Sequence, residues 1–296
     1  MEETALLESK ELSFEFFPAQ TDQAMQRLTA TARSLAALHP AFCSVTFGAG
    51  GSEQSRTLQT VSLLKSTIDM DIVPHISCVG ATRHSLCELL RRYQEHGFQR
   101  LVVLRGDVPE AHASQKTELP YARDLLALIH AEFAGVFDVS VACYPESHPE
   151  SAHADEDFEF FRQKVEVGAD RAITQYFYNI EAYACFMERV QQANIRIPII
   201  PGIMPIHSFE GLQRFSQRCG ADLPRWLVKE LMVYQDDPAS LRLKGIEIVT
   251  RLCERLLSMD APGLHFYTLN QAEVTSALVE NCRDLGFQLG SAVSRI

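Results

Sequence analysis

The 296 residues are 46% hydrophobic and 22% charged, a composition that excludes a disordered or fibrous chain and allows a large buried core. Thirty-eight acidic against 27 basic side chains leave a formal charge of −11 with no basic tract, which argues against nucleic acid or an anionic membrane surface as partner. No apolar run approaches the roughly 20 residues that span a bilayer. The acidic start MEETALLESKELSF lacks the apolar segment of a secretory signal. Eight scattered cysteines without a C-x-x-C point to reduced, mostly buried thiols in a cytoplasmic protein, and away from a cysteine zinc site.

Short β-rich runs recur along the chain, each followed by a helical pattern. The first strand is expected at 12–19 (LSFEFFPA), followed by a helix whose Met25, Leu28, Ala32 and Leu35 form one stripe. Strands then follow at 41–49, 71–79 and 100–106, and in the second half at 137–145, 171–178, 197–205 and 263–269. Such alternation implies a parallel sheet with right-handed crossovers. Eight units in this length match a closed (β/α)8 barrel, an α/β fold of the TIM type. An open doubly wound sheet is the alternative, weakened because GAGGSE after the second strand has Gly48 and Gly50 but Glu53 at the third glycine position. A long polar loop is expected at 107–119. Some 55 residues between the seventh and eighth strands leave room for extra helices, PRWLVKELMVY and PASLRLKGIEIVTRLCERLL among them. Without a linker or a composition break, residues 1–296 read as a single catalytic domain.

Strand side chains alternate faces. In SFEFF this puts Phe14 and Phe16 on one side and Glu15 on the other, where a carboxylate is costly unless paired, hydrated or used. The same rule places Thr46, His75, Ser77, Arg105, Asp107, Tyr144, Gln175 and Tyr267 on the inner face near the strand ends, with His148 just beyond. Phe14, Phe16, Val45, Ile76, Val141 and Phe266 fall beneath the helices. In a barrel the C-terminal strand ends carry the active site. Ordinary explanations compete: Glu15 as the buried ion-pair partner of Arg105, His75 as a satisfied core histidine, and the two tyrosines as core aromatics with bonded hydroxyls.

SFEFFPA, SVTFGAGGS, PHISC, LRGD, YPESHPE, RAITQYFY, IIPGIMPI and HFYTLN, in that order from about residue 12 to 280, resemble the bacterial methylenetetrahydrofolate reductase family. The resemblance implies a barrel that binds FAD, takes hydride from NADH or NADPH, and converts 5,10-methylenetetrahydrofolate to 5-methyltetrahydrofolate by a ping-pong scheme that feeds methionine synthesis. It implies Glu15 as the general acid at folate N10 and Asp107 as the carboxylate beside the flavin and pterin. Positions expected at the flavin are Thr46, Phe47, Ala49, His75, Arg105, Gly106, Asp107, Tyr121, Ala122, Tyr144, His148, Asp157 and Lys164. Those expected at the substrate are Asp107, Gln175, Phe215, Tyr267 and Gln271. A homo-oligomer is expected by the same analogy, and no metal. The chain departs from the family pattern at Ala19, Gln20 and Gln271, where basic or proline residues are usual, which bears on folate affinity. Its end soon after the barrel leads to an expectation of no S-adenosylmethionine control. Two rivals remain: a metal-dependent barrel hydrolase or lyase built on Glu15, His75, His148 and His265, and a non-catalytic pterin-binding barrel.

Overall fold

The computed structural model describes residues 10–47, 51–107 and 118–283. Its strands are β1 (Glu11–Phe16), β2 (Phe42–Val45), β3 (Ile72–Ser77), β4 (Arg100–Leu104), β5 (Asp138–Cys143), β6 (Arg171–Thr174), β7 (Ile199–Ile200), β8 (Gly202–Ile203) and β9 (Gly263–Tyr267). The helices between and after them are α1 (Asp22–Ala36), α2 (Gly51–Thr67), α3 (Arg83–Glu95), α4 (Ala122–Glu132), α5 (Ala154–Val167), α6 (Ile180–Gln192), α7 (Phe209–Cys219), α8 (Arg225–Met232), α9 (Pro238–Ser258) and α10 (Glu273–Asn281). Both extra helices expected before the last strand are present, as α8 and α9. No described helix is long and apolar enough to cross a membrane.

All pairings are parallel, in the order β7-β6-β5-β4-β3-β2-β1-β9-β8. The two ends of this list are neighbours in sequence, so the sheet curls into a barrel. The continuous seventh strand expected at 197–205 is instead two short pieces on either side of Pro201. Proline has no N–H to give to a ladder, and the chain hands over there from one neighbour to the other: Ala172 N–H bonds Pro198 O (2.9 Å), while His265 N–H bonds Pro201 O (2.9 Å). The Gly202 N–H is met by the Thr174 hydroxyl (2.9 Å), and the Thr174 carbonyl accepts from the Tyr267 hydroxyl (2.7 Å). A Cβ on Gly202 would lie 2.2 Å from that carbonyl oxygen. Only glycine lets the three elements meet.

Phe14, Phe16, Val45, Ile76, Val141 and Phe266 are all buried in the main core beneath the helices, as alternation requires. Inside the barrel the side chains are layered. At the N-terminal end Arg171 bridges Glu11 (2.9 Å) and Asp138 (3.2 Å), and Arg100 pairs with Asp71 (3.4 Å). Above them Phe42, Val73, Val102 and Ile173 form an apolar layer. Arg100 stacks under the Phe42 ring at 4.2 Å, and His265 stacks on it at 5.8 Å between ring centroids. The charged and ionisable groups proposed for function gather above this layer, at the C-terminal mouth. Helices start there on capping side chains, which accept from the first-turn amides: Thr21, Thr82, His153, Asn179, Ser208 and Asp237.

Gly202→Ala is expected to cost about 1–3 kcal/mol of stability, the range for overpacking a filled site. Adding Tyr267→Phe should not rescue it, since the nearest atom is the Thr174 backbone oxygen. Urea unfolding checks this, and a Gly202→Ala protein as stable as the wild type would contradict the closure described.

Candidate active site

Glu15 emerges from β1 into the mouth with its side chain 14% exposed. Its Oε2 lies 3.5 Å from His75 Nε2 and 3.7 Å from His265 Nε2. Burial pushes His75 from 6.5 down to about 4, overriding the attraction of Glu15, with His265 pushing the same way as burial. His75 is therefore neutral at pH 7. Both its ring nitrogens are buried, and neither has a hydrogen-bond partner among the described protein groups. His265 Nδ1 pairs with the buried Ser13 hydroxyl (2.8 Å), leaving Nε2 as the nitrogen that faces Glu15. The Tyr267 ring stands edge-on to His265 at 5.4 Å, its phenol pushed up by burial and Glu15. Arg105 does not pair with Glu15; it makes a two-pronged bond to Glu150 (2.6 and 2.8 Å). The ion-pair explanation of Glu15 is thereby corrected: Arg105 leaves β4 toward the β5–α5 loop, away from Glu15.

Two cavities open at this mouth. The first, about 270 Å³, is walled by Glu15, Thr46, Phe47, His75, Gln175, Phe215 and Tyr267, together with Phe17, Cys219 and Leu269. The second, about 400 Å³, is walled by Arg105, Gly106, Asp107, Tyr121, Ala122, His148, Asp157 and Lys164. Leu104, Ala142 and Tyr144 belong to both walls, so the cavities adjoin. The structure thus brings together every expected site residue except two. Ala49 lies outside the described residues. Gln271 is exposed and lines neither cavity; its N–H caps the Thr268 carbonyl (2.9 Å). Most of the polar loop after β4, and GAG of GAGGSE, also lie outside the described residues. At the other departures, Ala19 is buried, and Gln20 is held by Arg56 through its backbone oxygen (2.8 Å) and its side-chain amide oxygen.

The second cavity is a polar cradle. Gly106 has φ 86°, and a Cβ there would meet the Ser77 hydroxyl at 2.5 Å. Lys164 Nζ donates to Ala142 O (2.6 Å), and burial pushes its pKa down against the pull of Cys143 and Asp157. Burial likewise raises Asp157, opposed by Lys164, and lowers His148. His148 stands edge-on to the Tyr144 ring at 4.7 Å and accepts from the Glu150 N–H (3.1 Å). Tyr121 stacks on Phe160. In the first cavity, Phe215 rides on α7, which is tied down by Tyr176: its hydroxyl meets the Ser216 hydroxyl (3.0 Å) and accepts from the Cys219 thiol (3.3 Å).

Sequence reasoning missed several functional neighbours. Ser13 and His265 back Glu15, and alternation from Glu15 and Tyr267 places both on the inner face; His265 was weighed only as a metal ligand. That metal set does not assemble, because His148 lies on the second cavity, and no three His, Cys, Asp or Glu among the described residues are disposed to hold an ion. Glu150 closes the YPESHPE motif, but nothing in its spacing pointed to Arg105 as its partner.

Parallel strands closed into a barrel, with cavities and convergent polar groups at the C-terminal mouth, define a (β/α)8 enzyme scaffold. Comparison with known proteins narrows the class. The methylenetetrahydrofolate reductase family model matches residues 1–283, and the chain belongs to that family. It is 38% identical to the 5,10-methylenetetrahydrofolate reductase of Escherichia coli K12 over 94% of this chain and 92% of that one. To the enzyme of the same name from Pectobacterium carotovorum it is 36% identical, over 93% and 90%. Among solved structures, a Clostridium thermocellum protein that binds two copies of 5-methyl-5,6,7,8-tetrahydrofolic acid superposes with TM-score 0.65 at 17% identity, covering 95% of this chain and 96% of the other. That likeness shows the fold alone.

Glu146, between Tyr144 and His148, joins the two halves of the mouth. One carboxyl oxygen accepts the Asp222 N–H (2.9 Å) in the loop after α7; the other is buried without a partner. Burial pushes this carboxyl up to about 7 from 4.5. The folded state therefore holds a proton that the unfolded chain releases above 4.5, so this group's contribution to stability falls as pH rises from about 4.5 to 7. Glu146→Gln should remove that part of the slope: in urea unfolding its stability relative to wild type rises between pH 5 and pH 8. A difference that is flat with pH would contradict the assignment.

Proposed function

We propose that the protein reduces 5,10-methylenetetrahydrofolate to 5-methyltetrahydrofolate at the expense of NADH or NADPH, with FAD as the resident carrier and the two substrates taking turns in the first cavity. The observation that carries this reading is a carboxylate, Glu15, aimed into an aromatic cavity against two imidazoles, next to a second cavity lined by cations and aromatic rings. The second cavity suits a flavin dinucleotide in its donor set. Arg105 and Lys164 offer charge to anionic groups, Gly106 admits a ligand close to the backbone, and Tyr144, His148 and Tyr121 offer ring faces and edges. His75, with both ring nitrogens unpartnered, is a ready partner for a heterocycle edge. Thr46, Phe47, Ala122, Asp157 and, outside the described residues, Ala49 complete the proposed flavin set. When bound, FAD supplies hydride transfer between nicotinamide and folate.

The reaction consumes one proton: methylenetetrahydrofolate, NAD(P)H and H⁺ give methyltetrahydrofolate and NAD(P)⁺. That proton belongs on folate N10, where it releases the methylene bridge as a 5-iminium cation ready to accept hydride. Glu15 delivers it. His265, fixed through Ser13, and neutral His75 steer the carboxyl without adding a fixed positive charge from His75 that would favour its ionised form. Asp107, at the edge of the second cavity, is a counter-charge for the cation. Gln175, Phe215 and Tyr267 shape the space that folate and nicotinamide share in turn. Gln271 is assigned to the folate's outer portion, beyond the cavity wall. The whole chain is proposed to act as one catalytic domain, a cytoplasmic homo-oligomer feeding methionine synthesis.

Glu15→Gln tests the assignment by stopped flow. General acids contribute roughly 10²–10⁴-fold, so the folate half-reaction should slow by about that much. Reduction of bound FAD by NADH or NADPH, which asks for no acid, should change by a small factor only. Equal slowing of both halves with loss of flavin would show that Glu15 is structural.

A further inference from the structure

The register of β1 with β9 ends at the pair Glu15–Tyr267, so the residues that follow Glu15 have no strand partner on the β9 side, although Phe16 still pairs with Val45 of β2. Side chains from 268–270 replace it. The Thr268 N–H (3.3 Å) and hydroxyl (2.6 Å) both donate to the Glu15 carbonyl. The Asn270 amide then does what a neighbouring strand would do: its Oδ1 accepts the Phe17 N–H (2.8 Å) and its Nδ2 donates to the Phe17 carbonyl (3.1 Å). The Asn270 N–H closes the set by donating to the Thr268 hydroxyl (3.1 Å). The peptide links on both sides of Glu15's successor are thus held from one short segment.

The backbone of that segment is unusual. Leu269 and Asn270 have φ of 51° and 58°, two successive left-handed residues without a glycine. Asparagine tolerates this region; leucine does not do so readily. Such conformations persist where surrounding contacts over-determine them, and they gather at functional sites. Here the contacts are those just described, reinforced by the Thr31 hydroxyl on the Asn270 carbonyl (3.3 Å). The left-handed pair turns the chain away from the sheet toward α10 while keeping the Asn270 side chain on β1. Leu269 and Phe17 both line the first cavity.

We propose that Asn270 is a positioning residue for Glu15: its side-chain amide extends the β1–β9 pairing past the barrel rim and so fixes the Glu15 carboxyl for proton delivery to the substrate. The inference rests on the folate reading above. An ordinary turn residue would contribute stability without bearing on the acid.

Asn270→Gly keeps the left-handed freedom and removes the amide. Asn270→Asp keeps the acceptor for the Phe17 N–H but sets a carboxylate oxygen against the Phe17 carbonyl. In both, the folate half-reaction should slow at least tenfold, and its pH profile should move from that of the wild type, while FAD reduction by NADH stays within about twofold. Amide hydrogen exchange, read without folate, should be at least tenfold faster at Phe17 in Asn270→Gly. An unchanged Phe17 amide and an unchanged folate step, or equal slowing of both half-reactions, would overturn the positioning role. A wild-type protein that never passes hydride to methylenetetrahydrofolate would instead overturn the folate reading, and the exchange result tells the two failures apart.

Discussion

The mouth of this barrel is organised around one carboxylate held against two imidazoles, one of which, His75, burial deprives of charge. Glu15 has His75 at 3.5 Å and His265 at 3.7 Å, and His75 is pushed down to about 4. A protonated His75 would bind Glu15 as a salt bridge and hold it ionised. A neutral one adds no fixed positive charge beside the Glu15 carboxyl. The arrangement leaves both nitrogens of His75 and Nε2 of His265 without a hydrogen-bond partner among the described protein groups.

The layers below make the arrangement tenable. Ion pairs of Arg100 and Arg171 sit at the opposite end of the barrel, separated from Glu15 by the Phe42, Val73, Val102 and Ile173 layer. The cations therefore do not neutralise the acid. His265 stacks on Phe42, which stacks on Arg100, so the ring that faces Glu15 is locked from beneath as well as by Ser13. At the side, Tyr144 belongs to both cavities, and Glu146 fastens the same loop to the segment after α7. A ligand in one cavity therefore shares a wall with a ligand in the other, the proximity that a two-step hydride relay requires.

The composition of the barrel's inner face at the mouth was legible in the sequence. The alternation of SFEFF set Glu15 apart from Phe14 and Phe16, and the same count placed His75, Tyr144, Gln175 and Tyr267 on one face; a period of two survives because each parallel strand has a helix-covered side and a barrel side. The seventh strand was less legible: the sequence reads as one strand over 197–205, whereas Pro201 and Gly202 mark a hand-over between two neighbours. The competing pairing of Arg105 with Glu15 fails because the residue number gives the strand Arg105 leaves and not the loop it reaches, where Glu150 lies. Asn270 gave no periodic signal at all. Its role depends on a left-handed backbone and on a strand more than 250 positions away, neither of which a local pattern records.

The visible spectrum of the purified protein tests the central claim most directly. The account predicts a bound flavin spectrum that anaerobic NADH or NADPH bleaches and that methylenetetrahydrofolate restores, with methyltetrahydrofolate as product. A colourless protein that does not take up FAD, or a flavin that reduces and then ignores methylenetetrahydrofolate, would contradict it.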